Sequence, residues 1–219
     1  MTAASSSVVV ITAGLGQPSA TRLLGERLGA ETASRLRAAG TDPTVEVVEL
    51  RTYAHDLTDQ LLTGVPTQRL AGLIERTIAA DGLIAVTPIF SASYSGLFKM
   101  FFDVLQPESL AGKPTLIAAT GGTARHSLAL DFALRPLFSY LRTVVVPTGV
   151  FAATEDFGGS GAELGRRVGR AAGELADLLQ PRAAGTVPAV RGREVGDEPE
   201  VTPFAELLRR GRGPERPVI

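Results

Sequence analysis

Gly82-Leu-Ile-Ala-Val-Thr-Pro-Ile-Phe-Ser-Ala-Ser-Tyr-Ser-Gly-Leu-Phe-Lys99 decides the fold. Its first half is a short apolar run of the kind that forms a central parallel strand buried on both faces. It then crosses small hydroxyl residues and enters a helical pattern at Ser95. In open α/β sheets, ligands bind in the crevice beyond the carboxyl ends of such strands.

The same succession of strand, loop and helix recurs on both sides. Upstream, Val8-Val-Val-Ile11 leads through Thr12-Ala-Gly-Leu-Gly-Gln-Pro-Ser19 into a helix from Ala20 to about Ala39, stopped by Gly40. Val45 to Leu50 reads as a second strand, and Leu70, Leu73, Ile74, Thr77 and Ile78 share one helix face. Between them, Leu50 to Thr67 reads as a long connection. Downstream come a helix from Ser95 to Leu105, a strand from Lys113 to Thr120, and a helix marked by Leu130, Leu134, Leu137, Phe138 and Leu141. Val144 to Phe151 reads as the fifth strand, and Leu164, Val168, Ala171, Leu175 and Leu179 mark the last helix. Five strands alternating with five helices predict an α/β fold, a flavodoxin-like doubly wound five-stranded parallel sheet of order 2-1-3-4-5. Parallel neighbours need crossover connections, and helices supply them. Pro136 interrupts the fourth helical pattern, which predicts a kink or π-bulge, or a plain break between two helices.

With 219 residues and 44% hydrophobic content, the chain can bury one core, expected over residues 1–180. From 181 to 219, 11 of 39 residues are Pro or Gly, so this stretch reads as a tail, with Thr202-Pro-Phe-Ala-Glu-Leu-Leu208 as a docking turn. A net charge of -1 with interspersed signs argues against nucleic acid and anionic membrane surfaces as partners. The absence of cysteine excludes disulfides and thiolate nucleophiles, and the distant pair His55 and His126 offers no zinc spacing, so no metal is expected. Residues 1–7 carry no basic side chain and the apolar run at 8–11 is too short for a leader core, which makes the cytoplasm the expected compartment.

Three strand ends carry chemistry. In the first loop, Ser19 at an N-cap and Thr21 in the first turn lie beside unpaired backbone donors and the positive end of a helix dipole, a seat for a phosphate monoester. The same features fit an ordinary capped βα turn. Gly14-Leu-Gly16-Gln-Pro-Ser19 also approaches a dinucleotide fingerprint, with Glu49 available as the ribose acceptor. The third loop argues otherwise: backbone amides, the face of Phe90 and the hydroxyls of Ser91, Ser93, Tyr94 and Ser95 suit a ring with an imide edge and a dimethylbenzene edge, which is a flavin. Gly121 and Gly122 allow close backbone approach at the next strand end, or serve as a turn before the following helix.

Thr87-Pro-Ile-Phe-Ser-Ala-Ser-Tyr-Ser-Gly-Leu-Phe-Lys99, with Asp103, resembles the second signature of NAD(P)H-dependent FMN reductases. Ala119-Thr-Gly-Gly-Thr-Ala-Arg-His-Ser-Leu-Ala-Leu-Asp-Phe-Ala-Leu-Arg-Pro136 is similar to the branch that supplies reduced flavin to luciferase-like and alkanesulfonate-type monooxygenases. The resemblance implies a flavodoxin-like fold and reduction of FMN by NADPH or NADH, with the phosphate on Gln17, Ser19, Ala20 and Thr21. It places the ring against Pro88, Ile89, Phe90, Ser91, Tyr94, Ser95 and Gly96, with Thr120, Gly121 and Gly122 below. Gln17 stands where the wider family often has an arginine, so a site built on neutral hydroxyls is expected, in keeping with release of reduced flavin to a separate monooxygenase.

Hydride transfer to flavin N5 needs positioning and no protein acid or base, so no catalytic residue is expected and His126 has at most a binding role. Two alternatives share the scaffold: a quinone or azo reductase with prosthetic flavin, and a flavodoxin-type electron carrier, which the weak net charge disfavours. Phe98, Met100, Phe101 and Phe102 give the Ser95 to Leu105 helix more apolar surface than one core contact needs, so a homodimer or homotetramer is expected. Lys99 and Asp103, four apart, predict a surface ion pair or a reach across that interface.

Overall fold

The computed structural model describes residues 5–158 and 161–180. Strand β1 (Ser5–Thr12) leads to helix α1 (Ala20–Ala38), β2 (Asp42–Glu49), a 3-10 turn (Leu50–Tyr53), α2 (Ala54–Thr63) and α3 (Gln68–Ala79). There follow β3 (Gly82–Phe90), the short β4 (Ser93–Tyr94), α4 (Gly96–Asp103) and β5 (Pro114–Gly121). A π-helical segment (Leu130–Leu134) runs into α5 (Arg135–Tyr140), then β6 (Val144–Val145), β7 (Val150–Ala153) and α6 (Ala162–Leu179).

The sheet runs β2-β1-β3-β5-β6, all parallel, with β7 also parallel to β5 and β4 antiparallel to β3. This is the expected order with its last strand in two pieces. The strand read from 144 to 151 breaks at 146–149, where Pro147 has no N–H for the ladder; Val144–Val145 pairs with the start of β5 and Val150–Ala153 with its end.

Alternate residues of the central strands feed two cores, as burial on both faces requires. Val9, Ile11, Leu83, Ala85, Ile117 and Ala119 join Leu57, Leu70, Leu73, Phe98 and Phe138 from α2 to α5. Val8, Val10, Ile84, Val86, Leu116 and Ala118 join Leu24, Leu28, Val168 and Leu175 from α1 and α6.

Two expectations change. The long connection from Leu50 to Thr67 contains the 3-10 turn and α2, whose Leu57 is fully buried; Leu50, Tyr53, Ala54, Leu57 and Leu61 form a helical stripe that the loop reading passed over. Phe98, Phe101 and Phe102 of α4 lie in the chain's own core, where Phe102 and Phe138 stack edge-on at 5.0 Å, so the surplus apolar surface inferred for these rings does not exist. At the fourth helix, the π-helical reading holds: Arg135 N–H bonds back to the carbonyl of Leu130 just before Pro136, which has no N–H to offer Phe132. Lys99 and Asp103 form an i,i+4 ion pair at the surface. The tail from 181 to 219 and its turn at 202–208 lie outside the described residues. Among the described residues no helix is long and apolar enough to cross a membrane, and no cluster of His, Asp and Glu could hold a metal.

Candidate active site

The loop between β1 and α1 is braced from below. Thr12 donates its hydroxyl to the Val48 carbonyl at 2.8 Å, and Ala13 N–H bonds the Val86 carbonyl at 3.0 Å. Ser19 caps α1 by accepting from Arg22 N–H at 3.1 Å, which leaves its own hydroxyl proton and the N–H groups of Ala20 and Thr21 without a helical partner. Gly14 makes this possible, because a Cβ there would collide with the Ser19 hydroxyl. Thr21 is buried and shares a 2.8 Å hydrogen bond with Thr120, tying the first turn of α1 to the end of β5.

At the third strand end, Thr87 fixes the geometry. Its hydroxyl donates to the Pro88 carbonyl and accepts from Ser95 N–H at 3.0 Å, and Ser95 caps α4 by accepting from Phe98 N–H. Beyond it, β3 and β4 form a hairpin closed by Ser91 and Ala92, both at positive φ, which leaves the Phe90 ring 47% exposed beside the crevice.

These loops enclose one cavity of about 840 Å³, within the usual span of about 300–1,000 Å³ for small-molecule sites. It brings together Gln17, Ser19, Ala20, Thr21, Pro88, Ile89, Phe90, Thr120, Gly121 and Gly122 from three strand ends. Ser91, Tyr94, Ser95 and Gly96 do not line it: Ser95 is a buried cap, and the Tyr94 ring turns onto Phe98 at 5.9 Å. His126, exposed in a short 3-10 turn, is also outside. A Cβ on Gly121 would press within 2.8 Å of Phe151, so packing from β7 accounts for that glycine, whereas Gly122 faces open space.

The sequence reading missed the charged wall. Glu49 accepts from Arg22 at 2.7 Å and from Arg51 Nε at 3.0 Å, and Arg22 also holds Glu26 at 2.7 Å; all four line the cavity. The hydrogen bond to Glu26 and the charge of Glu49 raise the Arg22 guanidinium pKa further above its ordinary value. Hydrogen-bond matching turns the Gln17 carboxamide oxygen toward Arg51, where it accepts from both Nη atoms, at 2.9 Å from Nη1. The expectation of a neutral, hydroxyl-only site is therefore corrected: two guanidinium groups line it. Their signal was positional, since Arg51 follows the carboxyl end of the strand next to β1. Ala152, Thr154 and Phe157 complete the wall from β7, steadied by Asp156, which accepts from Ala153 N–H and from Arg167, and by Arg27 over the Phe157 ring.

Residues 6–158 match the family described as NADPH-dependent FMN reductase. The chain is 37% identical over 150 residues to an FMN reductase (NADPH) of Pseudomonas aeruginosa, covering 68% of this chain and 78% of that one. It is 36% identical over 176 residues to the NADH-dependent FMN reductase SfnE of Pseudomonas putida, covering 79% and 92%. An oxidoreductase structure from Corynebacterium diphtheriae superposes with a TM-score of 0.77 at 52% identity, over 80% of this chain and 96% of that one. A crevice at the carboxyl ends of a doubly wound sheet, and a match running from β1 past β7, place the chain in the NADPH-dependent FMN reductase family.

Proposed function

We propose that this crevice takes FMN with its phosphate on the β1–α1 loop at Gln17, Ser19, Ala20 and Thr21, and its ring between Pro88–Phe90 and Thr120–Gly122. The observation that carries this reading is that a single cavity joins the N-terminus of α1 to the exposed Phe90 ring. Its two ends fit the group: unpaired N–H donors and the Ser19 hydroxyl at one, an aromatic face and a glycine backbone at the other.

Bound FMN supplies a two-electron acceptor for hydride from NADPH or NADH. The chain's own residues orient. Both carboxylates lining the cavity, Glu26 and Glu49, are engaged by arginines, which leaves neither poised as a general base and agrees with a reaction run by positioning. An open mouth beside Phe90 suits a flavin that enters as substrate and leaves reduced, to be consumed by an FMNH2-dependent monooxygenase.

Consumption of NAD(P)H by the purified protein, with and without free FMN, tests this. Colourless protein that turns over only when FMN is added agrees with the reading. Yellow protein that reduces quinones without added flavin supports the quinone or azo reductase instead, and no flavin-linked turnover defeats both. Ser19→Ala is expected to weaken FMN about tenfold and riboflavin little; Thr21→Ala acts mainly through its bond to Thr120 and should weaken both alike.

The protein is proposed to work in the cytoplasm as a homodimer or homotetramer. The exposed Leu128 in the turn before the π segment, Phe132 within that segment and Tyr140 at the end of α5 supply the apolar surface that α4 does not. Sizing at micromolar concentration should give an oligomer that Phe132→Ser loosens; a wild-type monomer contradicts the assembly.

A further inference from the structure

Arg51 lines the crevice, yet no sequence motif assigned it a task. We propose that Arg51 is the cationic partner of the flavin 5'-phosphate, delivered from the segment after β2 to a loop that lacks an arginine of its own. Gln17 is then the neutral stand-in that holds the guanidinium until a phosphate oxygen replaces it. The inference rests on the FMN reading above.

The geometry points the guanidinium at the right place. Both Nη atoms face the Gln17 carboxamide, in the loop that ends at Ser19 and the first-turn N–H groups of α1. Glu49 holds Nε at 3.0 Å and is itself held by Arg22, which sets the direction of the fork and leaves its Nη edge for the loop. The Arg51 side chain is 23% exposed, so its charge acts through less water than that of a surface arginine. A carboxamide oxygen is a weaker acceptor for a guanidinium than a phosphate dianion in the same position, so exchange is favourable and requires only that the Gln17 carboxamide rotate to offer its NH2 to that phosphate. Glu49 offsets part of the charge, which keeps the flavin releasable. Arg22 is a poorer candidate, since its side chain is half exposed and its guanidinium is committed to Glu26 and Glu49.

Dissociation constants for FMN and riboflavin, read by quenching of flavin fluorescence, test the assignment in the wild type, Arg51→Met and Arg51→Lys. Arg51→Met should lose about tenfold or more in FMN affinity while riboflavin changes less than about twofold, with Arg51→Lys in between. Unchanged riboflavin binding is also the control for an intact fold. A wild type that prefers FMN while Arg51→Met keeps that preference overturns the role of Arg51 alone. So does a variant with normal FMN affinity that has lost only a preference for NADPH over NADH, which reassigns the guanidinium to the dinucleotide's extra phosphate. A wild type that binds neither flavin overturns the FMN reading and this inference with it.

Discussion

Ser91 and Ala92, at φ of 47° and 69°, occupy a conformation that L-residues avoid, at a cost of about 1–2 kcal/mol each. A two-residue hairpin loop demands it, because such turns match the twist of the flanking strands, and asparagine or glycine normally fill them. Replacing both residues by glycine should raise stability by about 1 kcal/mol after the greater freedom of the unfolded chain is counted, read as a higher denaturation midpoint. A lower midpoint would show that the turn is not strained. Gly14 works the opposite way: Gly14→Ala should push Ser19 off its cap, lowering stability by about 1 kcal/mol and FMN affinity together, as unfolding and titration would show.

Among the elements, α4 separates a structural serine from a binding one. The Ser95 hydroxyl faces Phe98 N–H and not the cavity, so Ser95→Ala should cost about 1 kcal/mol in stability yet leave flavin affinity unchanged. A matched loss of FMN binding would return Ser95 to the site. At the start of β5, the buried Lys113 ammonium donates to the carbonyls of Ile78 and Ala80, closing the end of α3 onto the sheet. Burial pushes the Lys113 pKa below its ordinary 10.5, opposed by the Asp81 carboxylate. Below the native value both states are protonated and this group gives no pH dependence. Between that value and 10.5 the unfolded chain binds more protons, so stability rises with pH across the window. Lys113→Met should flatten that rise in denaturant titrations at stepped pH, and an unaltered slope would place the titrating group elsewhere.

For the molecule as a whole, alternation of apolar runs and helical stripes was enough to specify a doubly wound sheet, because each signal is a local periodicity written in consecutive residues. Crossover connections made the sheet parallel, the order 2-1-3-4-5 is the common one for five doubly wound strands, and the loops after β1, β3 and β5 were legible as ligand loops because strand ends of this fold converge. Fine structure escaped where a single residue overrode a pattern, as Pro147 does in splitting the last strand. In the crevice, residue types in sequence could name Ser19 and Phe90. They could not show that Ser95 and Tyr94 turn inward, that Phe98 and Phe101 are used up in the core, or that Arg22, Glu49 and Arg51 meet beside Gln17. Such facts depend on the distance between segments remote in the chain and on which side chain fills the space between them, and packing sets both, whereas the fold class needs only the rhythm of polar and apolar residues.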